Sequence, residues 1–491
     1  MKVPVFEKEK LNRILKKTVD RTLGEIDKNR AFDKTKNHPK VTGIAGDVIE
    51  KSVLCYDSNS DQRPDIIVDG LETEVKTTGI RYSTSSKHRK KQTNKDFEAK
   101  EPMSITAVSP ESIVSENFSD SMFWHKLENL LLVYYHYDSD KTVKSWEYCK
   151  FKIKGYEFHK FSKEDEDRLK KDWLKVQEFI RSAQKYCKNP EDRYPQLGST
   201  LRKNLMLIDT APKWPHRPRF RLKRSTVTAI IRSYFGKKYD TLPQSYSSFD
   251  DIDSKLSDLT LKYSGKTIEE LLNIFRLSDS PNKKSKKAIA EEIVVKMFGG
   301  KAKKLNKIEV FDKTGLTLKT LTQTATGLRT EDTKLFQINF NDLTSEDIFE
   351  NSQFFSYFSE RQFLFILFEE PSNNATLLKN KFLGFKRLTF SDDFIDKYVR
   401  NVWTHTRNLI LKNKLREYFV YKNGKAVVNK TGIKKTKLNF LKSASSPVFL
   451  RGSGNNSLKK PLVLNNIHMY NQWIWIRGRT LVELLSKEKF I

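Results

Sequence analysis

Apolar residues along this chain alternate between two patterns, helical spacing and short continuous runs, and the sequence passes through both series twice. Residues 7–27 place Leu11, Ile14, Leu15 and Leu23 near helical spacing, which predicts an amphipathic helix. TGIAGDVIEKSV (42–53) predicts a second helix, with Ala45, Ile49 and Val53 as its buried stripe. Two short strands are expected around Asp65 and Glu74, another at 103–108, and a buried one in LENLLLVYYHY (127–137). Residues 164–184 predict a helix with Leu169, Trp173, Val176 and Ile180 on one side. Between these, 83–100 is polar and basic, with the run KHRKKQTNK (87–95), and is expected to be a loop. The stretch 236–266 is rich in Ser, Asp and Pro, so a linker is expected at 241–265 between domains 1–240 and 266–491. TIEELLNIF (267–275) then opens a second helix–helix–strand series.

The second series matches the first at four places in the same order. PDIIVDGLETEVKTTG (64–79) parallels KIEVFDKTGLTLKTLT (307–322), and LENLLLVYY parallels ERQFLFILF (360–368). DWLKVQEFI (172–180) parallels VWTHTRNLI (402–410), and FRLKRSTVTAII (220–231) parallels IWIRGRTLVELL (474–485). A duplicated protein is the expectation, with insertions in loops; residues 437–460 are one candidate. Trp173 and Trp403 occupy matching positions and read as core.

Composition narrows the function. The 491 residues suffice for two to four domains. Hydrophobic residues at 37% and aromatics at 12% indicate a globular chain, and a formal net charge of +30 calls for a polyanionic partner, most simply nucleic acid. No apolar run approaches the roughly 18 residues of a membrane span, so no membrane partner is expected. Three widely spaced cysteines without a CxxC pair argue against a zinc site or disulfide framework. The charged start, MKVPVFEKEKLNRILKK, lacks the pattern of a secretion signal, so a cytoplasmic location is expected.

The two copies differ where chemistry is expected. Glu74-Val75-Lys76 in the first becomes Thr317-Leu318-Lys319 in the second, so the second lacks the acid. Phosphodiester hydrolysis needs a polarised phosphate, an activated water and stabilisation of the charge that develops. Magnesium takes hard oxygen ligands, commonly one or two carboxylates. Asp65 and Glu74 are therefore the expected metal ligands. Lys76, on the same strand face as Glu74 at roughly 7 Å between Cα atoms, is expected beside the water or phosphate, with Val75 and Thr77 pointing the other way. Glu50 joins from the preceding helix, where Gly43, Gly46 and Glu50 share a face. Asp65 could instead be a turn acid and Glu72, Glu74 and Lys76 a solvated strand face; Glu72 is a rival to Glu74 as ligand. For nucleic-acid contacts, 213–224 carries six Lys or Arg. Arg219, Arg221, Lys223 and Arg224 are the expected DNA-binding residues, by base readout or phosphate contact. A solvated edge strand guarded by charge is the plainer alternative. Arg477 and Arg479 keep this character in the second copy, and the 87–95 run reads equally as a phosphate clamp or a solvated loop.

The segment TGIAGDVIEKSV…RPDIIVDGLETEVKTT resembles the family that joins the mismatch-repair nicking endonuclease MutH with the Sau-three-A type restriction endonucleases. Its pattern, a Gly-x-x-Gly-x-x-x-Glu helix, then Pro-Asp, then a Glu-x-Lys strand, falls here on Glu50, Asp65, Glu74 and Lys76. The family spaces its aspartate and strand acid two residues closer than this chain does, which keeps Glu72 in contention. PRFRLKRSTVTAII resembles the family's late basic strand–turn. The resemblance implies an α/β (α+β) protein with two tandem restriction-endonuclease-like (PD-(D/E)xK, MutH-like) domains, each a mixed sheet flanked by helices, the second catalytically degenerate. It further implies a magnesium-dependent type II restriction endonuclease acting on double-stranded DNA at GATC, with a cognate DNA methyltransferase; with one intact site and two strands of a palindrome to cut, either a dimer assembles on the DNA or one chain cuts twice in sequence. The degenerate copy is expected to bind a second DNA as an allosteric effector. The alternatives are a MutH-like repair nickase and a DNA-binding protein with a dead nuclease site.

Overall fold

A computed structural model of the chain describes residues 3–37, 43–56, 63–83, 93–277, 286–327, 331–372, 375–429, 432–454 and 459–491. Most of the basic run, 87–92, lies outside them. The chain forms two compact units, one of residues 1–139, 143–256 and 280–318, the other of 140–142, 257–279 and 319–491. No helix among the described residues is long and apolar enough to cross a membrane.

The first unit is built on a mixed sheet of β1 (Val5–Phe6), β2 (Ile66–Val68), β3 (Leu71–Tyr82), β4 (Phe97–Ala99), β6 (Leu130–His136) and β7 (Ile153–His159), ordered β1-β2-β3-β6-β7 with β4 on β3. Strand β6, LLLVYYH, is buried at every position but the last, as a strand covered on both faces must be. It runs parallel to β3 with Leu130 opposite Glu74 and antiparallel to β7. A second, antiparallel sheet is ordered β5-β9-β8, from β5 (Met103–Ala107), β8 (Ile208–Ala211) and β9 (Arg219–Leu222). The helix Lys163–Tyr186 buries Leu169, Trp173, Val176 and Ile180, as expected, and Ser162 caps it by accepting from the Asp165 amide.

Three expectations need correction. The helix expected over 7–27 is instead Lys8–Lys16 followed by the single turn Leu23–Ile26. Asp20 turns left-handed (φ 62°) so that its amide reaches the Ile153 carbonyl, and this tertiary bond replaces a helical turn. The linker expected at 241–265 contains the helix Phe249–Tyr263 with Phe249, Ile252, Leu256 and Leu259 buried. Its Ser and Asp residues are capping groups: Ser248 accepts from the Asp251 amide, and Asp251 accepts from the amides of Ser247 and Ser248. Finally, Glu309–Lys313 is helical, whereas the stretch it parallels in the sequence forms β2. An i,i+4 ion pair, Lys313 to Glu309 at 2.6 Å, and burial of Val310 and Phe311 favour that turn.

The second unit contains a sheet ordered β10-β12-β13, from β10 (Leu316–Thr324), β12 (Gln362–Glu370) and β13 (Lys381–Leu388). A second, antiparallel sheet is ordered β11-β21-β18, from β11 (Thr333–Gln337), β18 (Val448–Gly452) and β21 (Gln472–Ile476). The helices Arg400–Leu411 and Gly478–Ser486 complete it. Its core is aromatic-rich, with Phe336, Phe358, Phe363 and Trp403 among its members.

Candidate functional site

Glu74 is the centre of the site. It lies on β3 between β2 and β6, its amide bonded to the Asn129 carbonyl (3.0 Å), and is 1% exposed. A buried carboxylate needs partners, and it has two ammonium groups. Lys76 Nζ donates to Oε1 at 2.6 Å; Lys126 Nζ donates to both oxygens at 3.1 and 3.0 Å, and to the Arg63 carbonyl at 3.3 Å. Strand alternation thus brings Lys76 to Glu74 as the spacing implied.

Asp65 sits just before β2, its Oδ2 accepting from the Val75 amide at 2.9 Å. Burial raises its pKa, and the neighbouring Glu74 charge adds to the shift. Glu50 completes the cluster from a helix that begins as Ile44–Val48 and continues through a π-type turn, Ile49–Val53. Such turns re-aim side chains and recur at functional sites. Burial pushes the Glu50 carboxyl up to about 7, helped by Asp65 and Glu74 and opposed by Lys76. Ala45, Ile49 and Val53 are buried behind it. The two glycines of this helix have different roles. Gly43 is its left-handed N-cap (φ 81°), with open space around it; only Gly46 faces the site, where an added Cβ would lie 3.7 Å from Glu50 Oε1 and 3.6 Å from Thr77 Oγ1. Glu72, the rival ligand, is exposed two residues before the cluster.

Sequence reasoning missed Lys126 and Tyr56. Lys126 comes from the helix Met122–Glu128, whose end delivers β6 beside Glu74. A single lysine in a short helix gives no sequence signal; the parallel β3–β6 pairing is what brings it in. Among the described residues the buried Tyr56 hydroxyl has no hydrogen-bond partner, and burial, reinforced by Glu50, Asp65 and Glu74, opposes its ionisation.

Among the described residues, no three acidic, histidine or cysteine side chains converge closely enough to enclose a cation. The chemistry of the donor set nevertheless fits magnesium. Three hard carboxylates lie near two ammonium groups, two of the carboxyls are destabilised as anions, and the Tyr56 hydroxyl lies in their field.

The basic residues diverge. Arg219 on β9 is exposed. Arg221 is clamped by Asp209 through two bonds of 2.7 and 2.9 Å. Lys223 is 3% exposed and donates to the Leu205 carbonyl. Arg224 donates to the Ala99 carbonyl at 2.9 Å and Glu98 at 2.8 Å. In the second unit Arg477 precedes the last helix, and Arg479 is exposed beside Glu483 at 3.1 Å. Lys319, which the sequence comparison sets against Lys76, donates to the Lys334 carbonyl at 3.0 Å; burial, with Arg361 nearby, lowers its pKa to about 8.

The family model described as the DNA mismatch repair enzyme MutH matches residues 54–172, a span that holds Asp65, Glu74, Lys76 and Lys126. The type II restriction enzyme Sau3AI of Staphylococcus aureus is 21% identical over 362 residues, covering 71% of this chain and 70% of that enzyme. This chain carries a MutH-family domain in its N-terminal half and is a distant homologue of the type II restriction enzyme Sau3AI.

Proposed function

We propose that the chain is a magnesium-dependent type II restriction endonuclease that hydrolyses double-stranded DNA at a short palindrome, with GATC as the site to test first. The observation that carries this reading is the half-buried pair Glu50 and Asp65 beside buried Glu74 and its Lys76 partner, inside or next to the MutH-family match. Asp65, Glu74 and Glu50 would hold the metal, which when bound supplies Lewis-acid polarisation of the phosphate and a more acidic water. Lys76 presents an ammonium to the water or the phosphate. Lys126 is a positioning residue that acts through Glu74. Partial burial strengthens the interactions among these groups while making Glu50 and Asp65 harder to ionise, a cost that a bound cation would offset. Arg219 is the basic residue of β9 best placed to meet DNA, since Arg221, Lys223 and Arg224 are held by the protein itself.

The second unit is read as a duplicated copy without the acid. Matching orders support this: β3-β6-β7 beside β5-β9-β8 in the first unit, β10-β12-β13 beside β11-β21-β18 in the second. Its proposed role is to bind a further DNA copy as an effector. One intact acidic site per chain must either pair with a second chain on the palindrome or cut the two strands in sequence. Incubation of a supercoiled plasmid with magnesium tests the reading: linear product with ends at GATC supports it. Open circles alone would favour the MutH-type nickase, and binding without cleavage would favour a dead nuclease.

A further inference from the structure

Between the helix Arg400–Leu411 and β18, the second unit projects a segment for which the chemistry above has no use. Residues 412–442 hold ten Lys or Arg and one acid, Glu417. They form β14 (Glu417–Phe419), β15 (Tyr421–Lys422), β16 (Lys425–Ala426) and β17 (Thr436–Leu438). Strands β15 and β16 make a hairpin with Tyr421 opposite Ala426 and Lys422 opposite Lys425. Its two turn residues, Asn423 (φ 50°) and Gly424 (φ 73°), are both left-handed, as a two-residue type I′ turn requires. β17 pairs with β14, Tyr418 opposite Lys437, and the Val420 amide bonds to the Lys435 carbonyl at 2.9 Å. The Lys435 amide bonds to the Val427 carbonyl at 2.7 Å, so the returning strand touches both limbs. The segment is rooted by Leu415, Leu438 and Phe440 in the core of the second unit. Beyond that root its described residues include no buried hydrophobic side chain: Tyr418, Phe419 and Tyr421 are 51%, 50% and 64% exposed.

The pleat sorts the side chains. Cross-strand pairs share a face and alternate along each strand. Tyr418 and Lys437 therefore share one face of the β14–β17 pair, opposite Phe419 and Thr436, and Lys422 and Lys425 share one face of the β15–β16 hairpin, opposite Tyr421 and Ala426. Two features are unfavourable in the free protein. Lys422 and Lys425 stand directly opposite, a repulsive arrangement, and three large aromatics face water. The lone acid does not offset the charge, because Glu417 is already paired with Lys460 at 2.8 Å. Lysines that merely guard a sheet edge against aggregation explain the charge but not the aromatics beside it, which raise that hazard. A polyanion laid along Lys422 and Lys425 relieves their repulsion, and a paired β-ribbon is of a size the major groove admits, at roughly 12 Å.

We infer that residues 416–429 and 432–438 form an arm that binds duplex DNA, its exposed lysines on the phosphates. The choice of DNA as the polyanion rests on the endonuclease reading; the arm itself rests on the ribbon's charge and exposure. The test uses the full chain with Lys422, Lys425, Lys435 and Lys437 all changed to Ala. These side chains are exposed, so folding is preserved; Lys422→Glu alone is the fallback. Binding to a labelled GATC duplex of about 30 base pairs is followed by anisotropy over a salt series without magnesium. Each lost phosphate contact lowers the log–log salt slope by about 0.9, so the slope should shrink by about 3 to 4, and affinity near 0.15 M salt should fall by as much as about a thousandfold. An unchanged slope and affinity, with wild-type protein still cutting plasmid, overturns the arm and leaves the nuclease reading intact. If wild-type protein never cuts, that reading fails, while a slope difference would still support the arm. Loss confined to a single-stranded oligonucleotide of the same length overturns duplex as the occupant.

Discussion

Lys126→Met tests the architecture of the site at a residue that no part of the sequence pattern singles out. In the folded protein Lys126 Nζ bonds to both oxygens of Glu74 at 3.0 and 3.1 Å, and the carboxylate is 1% exposed. Breaking a buried ion pair by removing one partner costs about 3–5 kcal/mol when the other is left alone. Glu74 is not left alone, because Lys76 remains at 2.6 Å. A loss of about 2–3 kcal/mol, comparable to one hydrogen bond to a charged group, is therefore expected. The change also removes the group that aims Glu74, so cleavage should fall by about a hundredfold, in line with losing precise placement of a catalytic group.

The stability part is best measured as a double-mutant cycle. Urea titrations of wild type, Lys126→Met, Glu74→Gln and the double variant give the coupling between the two side chains. With the carboxylate already neutralised, removing the ammonium should cost little, leaving a coupling of about 2 kcal/mol. A coupling below about 0.5 kcal/mol would mean that Lys126 serves packing alone, and the placement of Glu74 would need another explanation.

Other expectations follow from the same contacts. Glu74→Ala and Asp65→Asn should each reduce magnesium-dependent cleavage by at least about a thousandfold while duplex binding persists in gel-shift assays; if Glu74→Ala still cuts, Glu72 is the next acid to change. Asp172→Ala should destabilise the first unit by about 3–5 kcal/mol in urea, because its buried carboxylate accepts from the amides of Met206, Leu207 and Ile208, all at 3.2 Å or less; a change below about 1 kcal/mol would refute that account. Lys319 tests pH dependence in the second unit. Its folded pKa, lowered to about 8 from 10.5, means that the unfolded chain holds the extra proton between those values, so stability should rise as pH climbs from 8 to 10.5. Lys319→Met should remove that rise and stabilise the protein at pH 7 by about 1–3 kcal/mol, as read by thermal melts across pH.

The elements that were legible in the sequence are those whose pattern is set by one local period. β6 and the helix Lys163–Tyr186 follow directly from a continuous apolar run and a helical stripe. The Glu74–Lys76 pair follows from the two-residue period of a strand, which needs no tertiary information. What the local pattern could not give are features set from outside the segment. The end of the first helix is fixed by a bond from Asp20 to Ile153, on a distant strand. The helix at 249–263 was hidden because serines and aspartates mark turns and helix caps alike, and only the buried Phe249, Ile252, Leu256 and Leu259 distinguish the two.

The basic stretch of β9 shows why charge alone cannot assign a DNA contact. Four cations within six residues meet four different surroundings: Arg219 is exposed, Arg221 is matched by Asp209, Lys223 is buried against a carbonyl, and Arg224 bridges Ala99 and Glu98. A cation already held by a carboxylate must break that pair before it can meet a phosphate, so its net gain on DNA is small. The arm of the second unit is the opposite case. Its lysines stand together on a ribbon whose one acid is already neutralised, and two of them repel each other across the strands. Counterion release rewards such unmatched charge most. The expected outcome is that removing the four arm lysines shifts the salt slope of DNA binding more than removing Arg221, Lys223 and Arg224 together, though both sets read alike in the sequence.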